Sequence, residues 1–176
     1  MLPNIVLIGF MGCGKSSVGR RLAGLTGHRF VDTDDLVTQA EDRSISEIFA
    51  DAGEAYFRAV EQRVLEETVG VCGIILSTGG GLVLREPNQV ALRKIGVIGW
   101  LDAEPDILFE RASRSGKRPL LQTENPRESF DRLLGSRREI YTNVADFRID
   151  TTHLNHDEAA QHVLDEALRR HRRFEG

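Results

Sequence analysis

Short apolar runs alternate with longer segments of helical periodicity along this chain. The first run, Asn4-Ile5-Val6-Leu7-Ile8, and the third, Ile74-Ile75-Leu76-Ser77, are continuous rather than alternating. Such runs are typical of strands that are buried on both faces of a parallel sheet. Five strands are predicted in all, near 4–8, 29–32, 74–77, 97–101 and 146–150. Helices are predicted from Lys15 to Gly27 (with Val18, Leu22 and Leu25 as its apolar stripe) and over 34–70, 88–94, 104–113, 127–143 and 156–171.

This alternation of strands and helices predicts an α/β fold with three layers and a five-stranded parallel sheet. The chain has 176 residues and shows no repeat or interdomain linker, which favours a single domain over 1–176. One segment, about 114–125, is polar and rich in turn-forming residues. We interpret it as a mobile loop.

Composition and charge argue against nucleic-acid binding and against a membrane span. Hydrophobic residues make up 40% and charged residues 28%, and the formal net charge is −4, so the protein as a whole is not a polyanion binder. The basic run at 169–173 is interpreted as a solvated helix end rather than a nucleic-acid site. No apolar run approaches the roughly 20 residues of a membrane span. Two cysteines without a disulfide pattern favour the cytoplasm.

The segment Gly9–Ser16 reads Gly-Phe-Met-Gly-Cys-Gly-Lys-Ser and matches the phosphate-loop pattern Gly-x4-Gly-Lys-Ser in full. A buried strand precedes it and a helix follows, so its backbone N–H groups and the helix N-terminus can hold phosphates. Lys15 is expected to reach the β- and γ-phosphates, and Ser16 to ligate Mg²⁺. The residues predicted to bind ATP here are Gly12, Cys13, Gly14, Lys15, Ser16 and Ser17.

Carboxylates follow the second strand in the sequence Asp32-Thr33-Asp34-Asp35. The carboxyl end of a parallel strand faces the crevice where ligands bind. Asp32 is predicted to share the metal with Ser16, because no carboxylate follows the buried strand at 74–77. Asp34 is suited to orient an acceptor hydroxyl or to take its proton. The alternative is that Asp34 or Asp35 only caps the next helix.

Two further features suggest an acceptor site. Three successive glycines, Gly79, Gly80 and Gly81, follow a strand and would allow close backbone approach to a ligand, or would form only a flexible turn. Guanidinium groups suit carboxylate and phosphate recognition, although a lone arginine is more often a solvated surface residue. The three candidates are Arg58 with Glu61 one turn away, Arg118 in the polar loop, and Arg137 four residues before Tyr141.

Taken together, these motifs resemble the shikimate kinase family over nearly the whole chain. The resemblance rests on the phosphate loop, Asp-Thr-Asp, the triple glycine, Arg118-Pro119-Leu120-Leu121 and the flanking arginines, in this order. It implies a P-loop kinase fold with strand order 2-3-1-4-5 and a mobile lid over about 114–125. It also implies MgATP-dependent phosphorylation of the 3-hydroxyl of shikimate to shikimate 3-phosphate, on the route to chorismate and the aromatic amino acids.

The resemblance further implies a role for each site residue. Asp34 would be the base, with Lys15 and Arg118 as the other catalytic groups, although Lys117 leaves open which lid cation meets the phosphate. The shikimate site would lie in the helical region 33–62 and beyond it, and Arg111 and His153 would lie near adenine. The predicted shikimate ligands are Asp34, Arg58, Gly79, Gly80, Gly81 and Arg137, with Phe49 and Phe57 as an apolar wall.

The sequence motifs leave other functions open. A related small-molecule kinase of the gluconate type, or one acting on a nucleoside monophosphate, would share the phosphate loop. A non-catalytic nucleotide-binding regulator would share the loop without the acceptor residues. We expect ATP and shikimate to be the partners, with no nucleic acid and no membrane, and we expect a cytoplasmic monomer.

Overall fold

A computed structural model describes residues 2–114 and 124–174 of the chain. The predicted lid falls almost entirely between these two ranges. Lys117 and Arg118 therefore lie outside the described residues, and their roles stay predictions.

The described residues form five strands and seven α-helices. The strands are β1 (Ile5–Ile8), β2 (Arg29–Asp32), β3 (Ile74–Ser77), β4 (Val97–Asp102) and β5 (Phe147–Asp150). The helices are α1 (Lys15–Thr26), α2 (Thr33–Glu41), α3 (Ile45–Glu66), α4 (Glu86–Ile95), α5 (Pro105–Ser113), α6 (Pro126–Val144) and α7 (His156–Phe174), and a 3₁₀ turn spans Leu82–Leu84. Every predicted strand and helix is present.

The strands form one parallel sheet in the order β2-β3-β1-β4-β5, as predicted. All four residues of β1 and of β3 are buried, because helices cover both faces of the sheet. Within the described ranges, no helix is both long enough and apolar enough to cross a bilayer. Both cysteines are free thiols, with Cys13 buried and Cys72 exposed.

Two details of the helices differ from the simple periodic pattern. Val18 and Leu22 of α1 are buried, but Leu25 is 54% exposed, so its predicted place in the apolar stripe was wrong. Leu25 lies in the last turn of α1, directly before the helix ends at Thr26 and Gly27. Helix α3 is interrupted at Gly53, whose φ of 79° and ψ of 177° are not helical.

The strand register places the site at one edge of the sheet. Asp32 is paired with Ser77, and Ser77 is paired with Leu7, so β1, β2 and β3 end side by side. The loops that follow these three strands are the phosphate loop, the start of α2 and the triple glycine. This is the edge at which open parallel sheets bind their ligands.

Candidate active site

Within the phosphate loop, Gly14 has a left-handed φ of 94° and caps α1, which begins at Lys15. No side chain of the described chain caps this helix, so the N–H groups of its first turn remain available to an anion. The Lys15 ammonium donates to the carbonyl oxygens of Gly9 at 2.8 Å and Phe10 at 3.1 Å. The loop therefore concentrates backbone donors and one cation at the end of β1.

Ser16 and Asp32 form the pair predicted to hold a metal ion. The Ser16 hydroxyl donates to Asp32 Oδ2 at 2.9 Å, and the Ser77 hydroxyl lies 3.5 Å from Ser16 Oγ. The other carboxylate oxygen, Asp32 Oδ1, accepts from the N–H of Asp34 and caps α2. Hydroxyl and carboxylate oxygens are the donors that Mg²⁺ prefers, and Mg²⁺ commonly combines one or two such groups with substrate phosphates.

Because Asp32 caps α2, the Asp34 side chain does not cap this helix. Asp34 lines the same cavity as Lys15, and its Oδ1 lies 2.9 Å from where a Cβ on Gly79 would stand. Burial raises the pKa of Asp34, and the Asp32 charge raises it further, while Lys15 opposes both. The carboxyl group is therefore more basic than an ordinary aspartate, as a proton acceptor requires.

Arg58 and Glu61 form the ion pair expected from their spacing on one helix. The Arg58 guanidinium donates to Glu61 Oε2 at 2.8 Å, and Glu61 is only 1% exposed. Burial raises the pKa of Glu61, while the Arg58 charge lowers it. The second oxygen of Glu61 has no hydrogen-bond partner among the described residues, so Arg58 is the main compensation for this buried carboxylate.

The triple glycine packs directly against these charged groups. A Cβ on Gly79 would stand 3.0 Å from Glu61 Oε1, and one on Gly81 would stand 2.8 Å from the Arg58 guanidinium. Only glycine permits this approach without displacing the side chains. The Gly79 N–H donates to the buried Thr33 hydroxyl at 2.9 Å, which fixes the start of the turn.

Arg137 approaches the triple glycine from α6. Its guanidinium donates to the Gly80 carbonyl at 3.4 Å and lies over the ring of Phe10, 5.5 Å from the centroid. Arg137 is 8% exposed, so the predicted surface alternative does not apply to it.

The charged side chains and the triple glycine line one cavity of about 490 Å³. The phosphate-loop residues Lys15 and Ser16 share it with Asp34, Arg58 and Arg137. An anionic donor held by the loop and an acceptor held by the two arginines would therefore meet at Asp34.

Comparisons with known proteins show the family of the chain. The family model described as shikimate kinase matches residues 11–168. The chain belongs to the shikimate kinase family. A shikimate kinase of Thermodesulfovibrio yellowstonii is 44% identical over 165 residues, which cover 94% of this chain and 95% of that one.

Solved structures extend the likeness to three dimensions. The shikimate kinase of Acinetobacter baumannii in complex with shikimate superimposes with a TM-score of 0.91 at 37% identity, covering 97% of this chain and 95% of that one. A gluconokinase of Sinorhizobium meliloti has a TM-score of 0.69 at 21% identity, with 98% and 95% coverage. At that identity the likeness to the gluconokinase concerns the fold alone.

Of the two phenylalanines predicted as an apolar wall, only Phe57 lines the cavity. Phe57 is buried and lines the cavity. Phe49 is exposed and does not line it, but its ring packs on Phe57 with the centroids 4.8 Å apart. Ile45 lines the cavity beside Phe57, and no prediction had included it.

On the predicted nucleotide side, the cavity is lined by Arg111, which was predicted, and by His156, which was not. Arg111 lines the cavity and donates to the carbonyl oxygens of Thr151 and Thr152, at 3.1 and 3.4 Å. His156 lines it too, close to Gly14, whereas His153 does not, although both histidines are exposed. A signal for His156 existed, since it is the first residue of a helix that follows the carboxyl end of β5.

Proposed function

We propose that this protein transfers the γ-phosphoryl group of ATP to the 3-hydroxyl of shikimate, on the route to chorismate and the aromatic amino acids. The observation that carries the proposal is a single cavity lined by the phosphate loop, by Asp34 and by two arginines, Arg58 and Arg137. A small hydroxylated carboxylate fits such a site, because its carboxylate can pair with the guanidinium groups while a hydroxyl meets Asp34. The membership of the shikimate kinase family supports the same acceptor.

On the nucleotide side, the phosphate loop and Lys15 would bind the β- and γ-phosphates. The nucleobase would lie between Arg111 and His156, which line the cavity next to Gly12 and Gly14 of the phosphate loop. Contact of the imidazole and guanidinium groups with a base is favourable through stacking. His153 stays a prediction for a weaker, outer contact.

On the acceptor side, Arg58 and Arg137 would hold the shikimate carboxylate, and Phe57 would contact the ring. Gly79, Gly80 and Gly81 would supply backbone donors to the hydroxyl groups. Within the described residues, the N–H groups of Gly80 and Gly81 have no hydrogen-bond acceptor, which leaves them available to a ligand.

In the reaction, the 3-hydroxyl oxygen forms a bond to the γ-phosphorus, and the bond from that phosphorus to the β,γ-bridging oxygen breaks. The hydroxyl proton passes to Asp34, and ADP leaves. The raised pKa of Asp34 makes it a better acceptor of this proton than an exposed aspartate. Lys15 would stabilise the negative charge on the transferring group, as would Arg118 if the lid brings it there.

We further propose Mg²⁺ as the metal, held by Ser16 and by Asp32, directly or through water. The ion would offset phosphate charge when bound with ATP. We also propose that the enzyme acts in the cytoplasm as a monomer. Light scattering of the purified protein would test the monomeric state.

The direct test is a steady-state assay of ADP release with MgATP and shikimate, with gluconate as the alternative acceptor. We expect shikimate-dependent turnover and formation of shikimate 3-phosphate, and no turnover with gluconate. Turnover with gluconate and none with shikimate would refute the assigned acceptor.

A further inference from the structure

The Gly80 carbonyl is held by a tyrosine that lies outside the cavity. The hydroxyl of Tyr141 donates to this oxygen at 2.7 Å, whereas Arg137 reaches it only at 3.4 Å. Tyr141 does not line the cavity. It therefore acts on the site through the glycine backbone rather than by touching a ligand.

The planarity of the peptide bond gives this contact a consequence for the next residue. The Gly80 carbonyl and the Gly81 N–H belong to one peptide unit, which is trans and so points them in opposite directions. A hydroxyl that fixes the carbonyl from one side also fixes the direction of the N–H on the other. Gly81 lines the cavity, and its N–H has no acceptor in the part of the chain that the structure describes.

The tyrosine itself is rigidly placed. Tyr141 is 1% exposed, and its ring stacks on Trp100 with the centroids 5.8 Å apart and the planes inclined by 27°. Burial raises the pKa of the Tyr141 hydroxyl, so this group stays protonated and able to donate at neutral pH. Arg137 lies one turn earlier on α6, so one helix carries both groups that contact Gly80.

We propose that Tyr141 is a positioning residue of the acceptor site, which orients the Gly80–Gly81 peptide so that the Gly81 N–H donates to the bound shikimate. The inference rests on the proposed function. Pre-orientation of this donor reduces the ordering that binding would otherwise require.

The test compares Tyr141→Phe with wild type in the shikimate and ATP assay. We expect the KM for shikimate to rise about three- to tenfold, which corresponds to one neutral hydrogen bond. The KM for ATP should stay within about twofold of wild type, since the phosphate loop is not touched. A general loss of stability would not produce this selective change.

Thr68→Val is a matched control. The Thr68 hydroxyl is also buried and also donates to a backbone carbonyl at 2.7 Å, that of Leu65, but it lies outside the cavity. We expect a similar loss of thermal stability in both variants and an unchanged shikimate KM in Thr68→Val.

A second measurement uses the folded wild-type protein. The chain has two tyrosines, so labelling with 3-fluorotyrosine gives two ¹⁹F resonances, which Tyr56→Phe assigns. Saturating shikimate should shift the Tyr141 resonance, because the substrate contacts the peptide to which its hydroxyl is bound.

The possible failures are distinguishable. Wild type that turns over shikimate, together with an unchanged KM in Tyr141→Phe or an unmoved Tyr141 resonance, would overturn this inference and leave the proposed function standing. Wild type that does not turn over shikimate would overturn both.

Discussion

Replacement of Arg58 by alanine should separate two roles of this side chain, one in binding and one in folding. In the folded protein its guanidinium compensates Glu61, which is 1% exposed, and it also faces the acceptor cavity. The contact with Glu54 is exposed at the carboxylate and contributes little. Arg58→Ala therefore removes a proposed substrate ligand and leaves one buried carboxylate without its cation.

The expected stability cost follows from the burial of the pair. Breaking a fully buried ion pair costs about 3–5 kcal/mol, but Arg58 is 22% exposed, so we expect about 2–3 kcal/mol. For a chain of this size, that loss lowers Tm by about 5–10 °C. The loss of charge-assisted hydrogen bonds to the shikimate carboxylate should raise the KM for shikimate about 10- to 100-fold, with a smaller change in kcat.

The double variant Arg58→Ala/Glu61→Gln distinguishes the two effects. Because glutamine carries no charge, it removes the uncompensated buried carboxylate, so we expect most of the Tm to return while the KM for shikimate stays high. The measurements are thermal unfolding followed by circular dichroism and a coupled assay of ADP release.

The pH dependence gives an independent check of the physical cause. Burial raises the pKa of Glu61 above its ordinary value of 4.5, and loss of the Arg58 charge removes an opposing influence. The cost of the ionised carboxylate is present above the folded-state pKa and disappears as acid protonates the group. The Tm deficit of Arg58→Ala should therefore be larger at pH 8 than at pH 5.5.

Any of three results would refute this reasoning. Equal Tm deficits in the single and double variants at pH 8 would show that an uncompensated Glu61 charge is not the cause. An unchanged shikimate KM in Arg58→Ala, or a KM restored in the double variant, would remove Arg58 from the carboxylate clamp.

Four further substitutions test the remaining roles. Asp34→Asn should lower kcat by about 10²- to 10⁴-fold and raise Tm at pH 8, because the ionised Asp34 is disfavoured in the folded state above its raised pKa; near-normal kcat would exclude it as the base. Ser16→Ala should raise the Mg²⁺ concentration for half-maximal activity at least about tenfold, and an unchanged requirement would contradict the metal assignment. His156→Ala should raise the KM for ATP about three- to tenfold and His153→Ala less than about twofold, and the reverse order would favour the sequence-based choice of His153.

The order of strands and helices was predictable because burial imposes a period on the sequence. The continuous apolar runs at β1 and β3 indicated a parallel sheet, and that topology requires the three following loops to meet at one edge. The phosphate loop, the Asp-Thr-Asp segment and the triple glycine could therefore be assigned to one site from the sequence alone.

Individual side chains within that site were less predictable, because their roles depend on contacts between distant segments. Phe49 and Phe57 have the same chemistry, yet only Phe57 lines the cavity. His153 and His156 are three residues apart, and the turn into α7 decides that His156 is the one beside Gly14.

Residue types and their spacing were enough to predict the chemistry: a phosphate loop, a carboxylate after β2 and arginines suited to an anionic acceptor. These follow from residue types and local spacing, which a single chain displays directly. Two contacts came from the folded chain alone: Asp32 caps α2 and so frees Asp34, and Tyr141, 61 residues away, donates to the Gly80 carbonyl. Such contacts join segments that no local pattern relates, so packing alone selects them.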